Sequence, residues 1–229
     1  MNGLTVSEPN KEQLHQTGPY FVFQSENQSD KLICDFGDVA AEHLPAHGHC
    51  DLLGFEASLG GRRWIIDSGN GCYDDNEDRF YCRSSVAHNV MTVGSENQCD
   101  IWSRFRMGRR GKVLYSKDVE MPGWSCATAA HDGYQRQGVR QMQRMIAFSP
   151  EAWICADFAH GMPACSLIGY LHFAPEVQIK KRSASEFVIS QSGMSMNLTF
   201  LGCNAMKLLE SMCYVAFGHP QRHLSLIHI

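Results

Sequence analysis

The sequence predicts an all-β chain, an antiparallel sandwich of two packed sheets. Eleven short segments carry this expectation: YFVFQSE (20–26), KLICDFG (31–37), LLGFEASL (52–59), RRWIIDSG (62–69), HNVMTVG (88–94), GKVLYSKD (111–118), WSCATAAHD (124–132), RQMQRMIAFS (140–149), AWICADFA (152–159), LIGYLHFA (167–174) and EFVISQSG (186–193). Each is rich in β-branched and aromatic residues, and Gly, Pro, Asn, Asp or Ser punctuates most of the boundaries. No convincing amphipathic helix longer than about two turns separates them, whereas alternating βαβ units would need helical patterns of about 10–15 residues between strands. With 229 residues, 44% apolar and 19% charged, the chain can bury a sizeable core, so disorder is not expected.

Charge and hydropathy narrow the function classes. Twenty basic against 24 acidic side chains give a net charge of −4 at pH 7, which argues against coating nucleic acid through bulk charge. No apolar run approaches the roughly 20 residues needed to span a bilayer. The opening MNGLTVSEPNKEQ has no basic start followed by an apolar stretch, so no secretory leader is expected within it.

Ten scattered cysteines never occur as CxxC, and Cys34, Cys155 and Cys213 lie inside apolar runs. Free thiols acting as small hydrophobes are the leading expectation, with several disulfides as the alternative. The reading divides the chain into a lead-in (1–17), a sandwich (18–218) and a tail (219–229). The tail's last residues, LSLIHI, resemble translated adapter sequence, so the tail is expected either as foreign to the fold or as native chain.

The densest chemistry lies in residues 43–89. HLPAHGHCD brings His43, His47, His49 and Asp51, WIIDSG ends in Asp67, and SSVAHN carries His88. Histidines at i and i+2 on an extended strand share a face. Zinc favours imidazole and carboxylate donors. One of the HGH pair with Asp67 and His88 would therefore form a three-ligand site with a position open. Polar residues hydrogen-bonded at strand ends are the alternative.

DRFYCRSSVAHN (78–89) is expected as a loop holding Arg79, Tyr81 and Arg83. Tyrosine can exchange a proton in an elimination and arginine can fork a carboxylate; taken alone, the stretch reads better as an ordinary crossover with solvated arginines. IWSRFRMGRRGK (101–112) sets Arg104, Arg106, Arg109, Arg110 and Lys112 beside Trp102 and Phe105. It suits contact with a polyanion, or else a charged, protected strand edge. His131 and His172, each near a tyrosine, are expected as satisfied turn or core residues.

The ordered set His47-Gly48-His49-Cys50-Asp51, Asp67-Ser68-Gly69, Tyr81-Cys82-Arg83-Ser84, Ala87-His88-Asn89 and Gln98 resembles the C-terminal β-sandwich of the heparinase II/III-like polysaccharide lyases, as do the later HDGY (131–134) and LHFAPE (171–176). The likeness covers about residues 18–195. It implies a metal, usually zinc and structural in role, held by His49, Asp67 and His88. It also implies that His47 and Tyr81 act at a cleft; Arg83, Arg104, Arg109 and Arg110, on the reading of the residues above, would be available there to an acidic polysaccharide.

In such proteins the cleft is shared with an N-terminal α-helical toroid, which is not part of this sequence and would be its partner. The resemblance therefore implies β-elimination on a uronic-acid polymer by the parent protein, in the periplasm or cell envelope, and a catalytically silent chain on its own. Two rival readings are a non-catalytic sandwich binding acidic glycan through Arg104–Lys112, and, less favoured, a cupin-like enzyme using the open metal position directly.

Overall fold

Alternating burial builds the first sheet, in which β1 (Gln13–Thr17), β2 (Tyr20–Gln24), β3 (Lys31–Asp35), β4 (Phe55–Leu59) and β5 (Arg62–Ile65) run antiparallel in chain order. Phe21 and Phe23 of β2 and Leu32 and Cys34 of β3 point inward, while Tyr20 and Ile33 face out, the period-2 pattern of a half-buried strand. The computed structural model describes residues 13–163 and 165–229; residues 1–12 of the expected lead-in lie outside the described residues.

After β5 the chain forms the helix α1 (Glu77–Arg83), a 3-10 turn (Ser85–Ala87), β6 (Met91–Val93) and the hairpin of β7 (Cys99–Ile101) with β8 (Met107–Arg110). Next, β9 (Val113–Met121), β10 (Trp124–His131), β11 (Val139–Phe148) and β12 (Trp153–Gly161) form a four-stranded meander. β13 (Leu167–His172) pairs with β6. β14 (Gln178–Lys181), β15 (Glu186–Gln191) and β16 (Met194–Thr199) make a small sheet, and β17 (Met206–Ala216) turns into β18 (His219–His228).

Side chains from the first sheet, the meander, β13, β15 and β18 share one core containing Trp64, Phe148, Phe173, Phe187 and Leu226. Phe23 stacks on Phe148 at 6.1 Å between ring centres, joining the first sheet to the meander. Arg144 of β11 is buried in this core. It forks Asp157 at 2.7 and 2.8 Å and donates to the Leu53 and Asn89 carbonyls, so its charge is both paired and hydrogen-bonded.

All eleven expected strands correspond to observed ones. The differences lie at the ends and in residues 78–89. The expected tail is β18, inserted between β17 and β13, with Ser225 and Leu226 buried. It follows β17 through a tight turn in which Gly218 takes φ +74°, a conformation that favours glycine. β1 likewise extends the pairing into the expected lead-in. Residues 78–83 are helical rather than a loop, because Asn76 caps them: its Oδ1 accepts the Arg79 backbone N–H at 2.9 Å, with Glu77 and Asp78 in the first turn. All ten cysteines are free.

Candidate metal centre and its rim

α1 buries Arg79, Cys82 and Arg83, residues three and four apart on one face, against the segment that carries His47, His49 and Asp51. That segment is not the strand expected from HGHCD. A 3-10 turn at Pro45–His47 precedes an irregular stretch held by long-range bonds. The Cys50 N–H donates to the Arg83 carbonyl at 2.8 Å, and Arg83 Nε donates to the Gly48 carbonyl at 3.0 Å. Gln98, fully buried, completes the clamp: its Oε1 accepts from Leu52 N–H (2.8 Å) and its Nε2 donates to the Leu52 carbonyl (3.1 Å), pairing as a strand neighbour would.

The turn separates the two histidines. His47 is exposed and packs edge-on to Tyr73, whereas His49 turns inward, its ring centre 5.3 Å from that of His88. His88 is held by its neighbour Asn89. The Asn89 Nδ2 donates to the Phe55 and Ile66 carbonyls at 2.8 Å each, and its Oδ1 accepts the His172 N–H at 2.7 Å. One side chain thus ties β4, the end of β5 and β13 together beneath the site. Asp67, two residues beyond β5, accepts the Gly69 N–H with Oδ1 (2.8 Å) and meets His88 Nδ1 with Oδ2 (2.6 Å).

His49, Asp51 and His88 each offer a ligand atom, all within 4.8 Å of one another, and Asp67 touches His88. His88 Nε2 is buried without a hydrogen-bond partner, which is costly for a polar atom. Burial is the largest influence on His49 and, helped by the charge on His88, lowers its pKa to about 3, so it is a neutral donor at pH 7. Burial opposes charge on His88 too, but Asp67 outweighs it and lifts the ring to about 9; His88 in turn overcomes burial at Asp67 and holds that carboxyl at about 2. Burial raises Asp51 to about 6. The two imidazoles and the Asp51 carboxylate are a donor set that fits zinc, with Asp67 against the other nitrogen of His88.

The remaining site residues divide into rim and scaffold. Tyr81 is half-buried; its hydroxyl donates to the Met212 carbonyl at 3.2 Å and lies 3.4 Å from Ser68 Oγ, which ties α1 to β17. Arg83, expected to reach substrate, is fully buried. Its guanidinium donates to the Gly48, Ser103 and Pro45 carbonyls, so it shapes the site from behind. Arg109 pairs with Asp100 at 3.7 Å, and Arg110 donates to the Ala41 and Glu42 carbonyls. Arg104 remains exposed on the β7–β8 hairpin, over the ring of Phe105. His131 is satisfied on Nδ1 by the Gly133 N–H, whereas His172 meets Ser225 Oγ with Nδ1 and leaves its buried Nε2 without a partner, so it departs from the expected satisfied core residue.

Arg79 is the contributor that residue-by-residue reading left among solvated arginines. It is buried, donates to Asn70 Oδ1 (2.7 Å) and the Arg104 carbonyl (3.0 Å), and its Nη1 lies 3.3 Å from His49 Nε2. Only its three-residue spacing from Cys82 on a short capped helix could have signalled burial.

This architecture defines an antiparallel β-sandwich with a histidine–carboxylate centre at one margin. The sequence profile described as Heparinase II/III-like, C-terminal, matches residues 8–227, and the chain belongs to that family. No curated protein matches. Among solved structures, a heparinase III with methylated lysines superposes with TM-score 0.75 at 17% identity, covering 96% of this chain and 33% of that one. The heparan sulfate lyase HepC from Pedobacter heparinus gives 0.76 at 14% identity, with 96% and 34% covered. The chain therefore spans about one third of the length of these relatives. Among the described residues, no helix is long and apolar enough to cross a membrane.

Proposed function

We propose that this chain is the sandwich portion of a polysaccharide lyase that cleaves a uronic-acid-containing polymer by β-elimination, and that it is catalytically silent by itself. The observation carrying the reading is the family profile across residues 8–227, on a chain whose exposed His47 is two residues from the half-buried His49, which packs against the buried His88.

The chemistry asks for such a rim. Elimination removes the proton at C5 of a uronate, forms a C4–C5 double bond and expels the C4 oxygen; the C5 proton is too weakly acidic unless the carboxylate is neutralised. His47 and Arg104 are exposed basic groups at this rim available to that carboxylate. Arg79 fixes His49 and the hairpin tip, and Arg83 fixes the backbone between His47 and His49. Tyr81 is the proton-transfer residue that the resemblance proposes, its hydroxyl resting on the Met212 carbonyl at 3.2 Å.

By resemblance zinc would be held by His49, Asp67 and His88; the ligand atoms grouped within 4.8 Å are those of His49, Asp51 and His88, and Asp67 lies on His88 Nδ1. When bound, the ion supplies a fixed positive charge that orders the donors beneath the rim. The partner is the helical domain of a longer parent protein, and the setting proposed for that parent is the periplasm or cell envelope, by family resemblance.

The test is retention and turnover on an acidic uronate polymer. The purified chain is expected to be retarded in a gel containing that polymer, not one containing a neutral polymer, and to release no unsaturated uronate. Steady release of unsaturated uronate would refute catalytic silence, and equal mobility in both gels would refute the acidic substrate.

A further inference from the structure

The rim carries a group of rings and cations that the metal centre does not use. Tyr73, 41% exposed, lies 5.4 Å from His47, 5.8 Å from Phe105 and 5.2 Å from Phe217, which is itself 58% exposed (ring centre to ring centre). Solvent-facing rings so clustered expose apolar surface that a folded chain ordinarily covers.

Two arginines lie close to these rings. The Arg79 guanidinium sits 5.1 Å from the Tyr73 ring centre and 5.8 Å from that of Phe105, and Arg104 lies 5.4 Å from Phe105. Arg79 and Arg83 are both buried, yet their partners are carbonyls, an amide and an imidazole. Among the described residues neither they nor Arg104 form an ion pair. Cations with no direct ion pair keep their charge available to an anion that reaches them. The acidic run Asp74-Asp75 follows Tyr73 in sequence but pairs with none of these arginines among the described residues.

The tip is also preformed. Arg79 Nε donates to the Arg104 carbonyl at 3.0 Å and Arg83 Nη1 to the Ser103 carbonyl at 2.5 Å, so α1 holds the loop that presents Phe105 and Arg104. A ligand meeting this surface pays little to order it.

We propose that Tyr73, Phe105 and Arg104 form a stacking subsite for a pyranose ring bearing an anionic group, the ring against the aromatic faces and the anion on the Arg104 guanidinium. The inference rests on the lyase reading above and adds a specific place and recognition chemistry to it. Aromatic faces take the C–H side of a sugar ring, and a guanidinium forks a carboxylate or sulfate.

The experiment is a binding titration of the purified chain with a tetrasaccharide of alternating hexuronate and hexosamine, beside a neutral tetrasaccharide. Tyr73→Ala and Arg104→Gln change exposed side chains, and Lys181→Gln, exposed in β14 of a separate sheet, is the control. Each rim variant is expected to weaken binding about tenfold, with the control unchanged and the neutral sugar unbound. Wild-type binding that neither rim variant alters would overturn the subsite and leave the lyase reading standing. No binding by the wild-type chain would overturn the subsite, while polymer retention judges the wider reading separately.

Discussion

The His88 imidazole and the Asp67 carboxylate meet at 2.6 Å, the ring 1% and the carboxylate 33% exposed. A buried imidazole would ordinarily lose its proton. This one keeps it because the carboxylate faces it directly, and the pair becomes a metal site only when that proton leaves. Metal uptake and proton release are therefore linked.

The pair makes its own contribution to the pH dependence of the metal-free chain, opposite in sign near pH 6.5 to that of His49, His131, His172, His223 and His228, which burial holds below the usual histidine range. His88 is raised from 6.5 to about 9, so its contribution to stability is complete below about pH 6.5 and is lost as pH rises through 9. Asp67 is depressed from 3.8 to about 2, so its contribution is present above about pH 4 and lost as pH falls through 2. With chelator present, the urea midpoint of the wild-type chain is expected to drop relative to that of Asp67→Asn as pH rises from about 6.5 to 9. In Asp67→Asn the buried ring is neutral, so over the part of that range where the unfolded ring still titrates the midpoint should rise instead.

Arg83 bears on stability more than on ligand contact. Replacing it by Ala leaves buried carbonyls at Gly48 and Ser103 unpaired, at a cost of about 3 kcal/mol or more. Arg83→Lys is not expected to restore it, because an ammonium cannot reproduce the planar fork. Urea denaturation of both variants checks this; an Arg83→Lys chain as stable as wild type would contradict it.

Asn89 joins three segments with one amide. Asn89→Ala should cost about 3 kcal/mol for its three bonds, and Asn89→Asp at least as much, because a carboxylate cannot donate to the Phe55 and Ile66 carbonyls. The same denaturation measurement reads both.

The basic run separates into bound and free members. Arg109→Glu and Arg110→Glu are expected to reduce retention on an acidic polymer less than Arg104→Gln, since Asp100 and main-chain carbonyls already occupy those two side chains. Abolished retention in the charge reversals alone would favour a glycan-binding sandwich built on that strand edge.

Strand periodicity made most of the sandwich legible, because inward Phe21, Phe23, Leu32 and Cys34 alternate with outward neighbours. β18 was less readable: its apolar residues follow HPQRH, and their burial depends on β13 and β17 lying on either side. The histidine–carboxylate set was readable as residue types in order, and its geometry was not. A 3-10 turn rather than a strand sends His47 and His49 apart, and a short capped helix buries two arginines that look solvated in the sequence. Such burial depends on distant carbonyls at Pro45, Gly48 and Ser103, and no local pattern announces them.

The most direct test of the centre is zinc per chain by elemental analysis, for the wild-type protein and for His88→Ala, Asp67→Asn and Asp51→Asn. The account predicts about one ion per folded wild-type chain, lost in His88→Ala and Asp67→Asn, with Asp51→Asn reading the role of the fourth donor. Well-folded wild-type protein that takes up no zinc would contradict the centre and leave the sandwich as a fold alone.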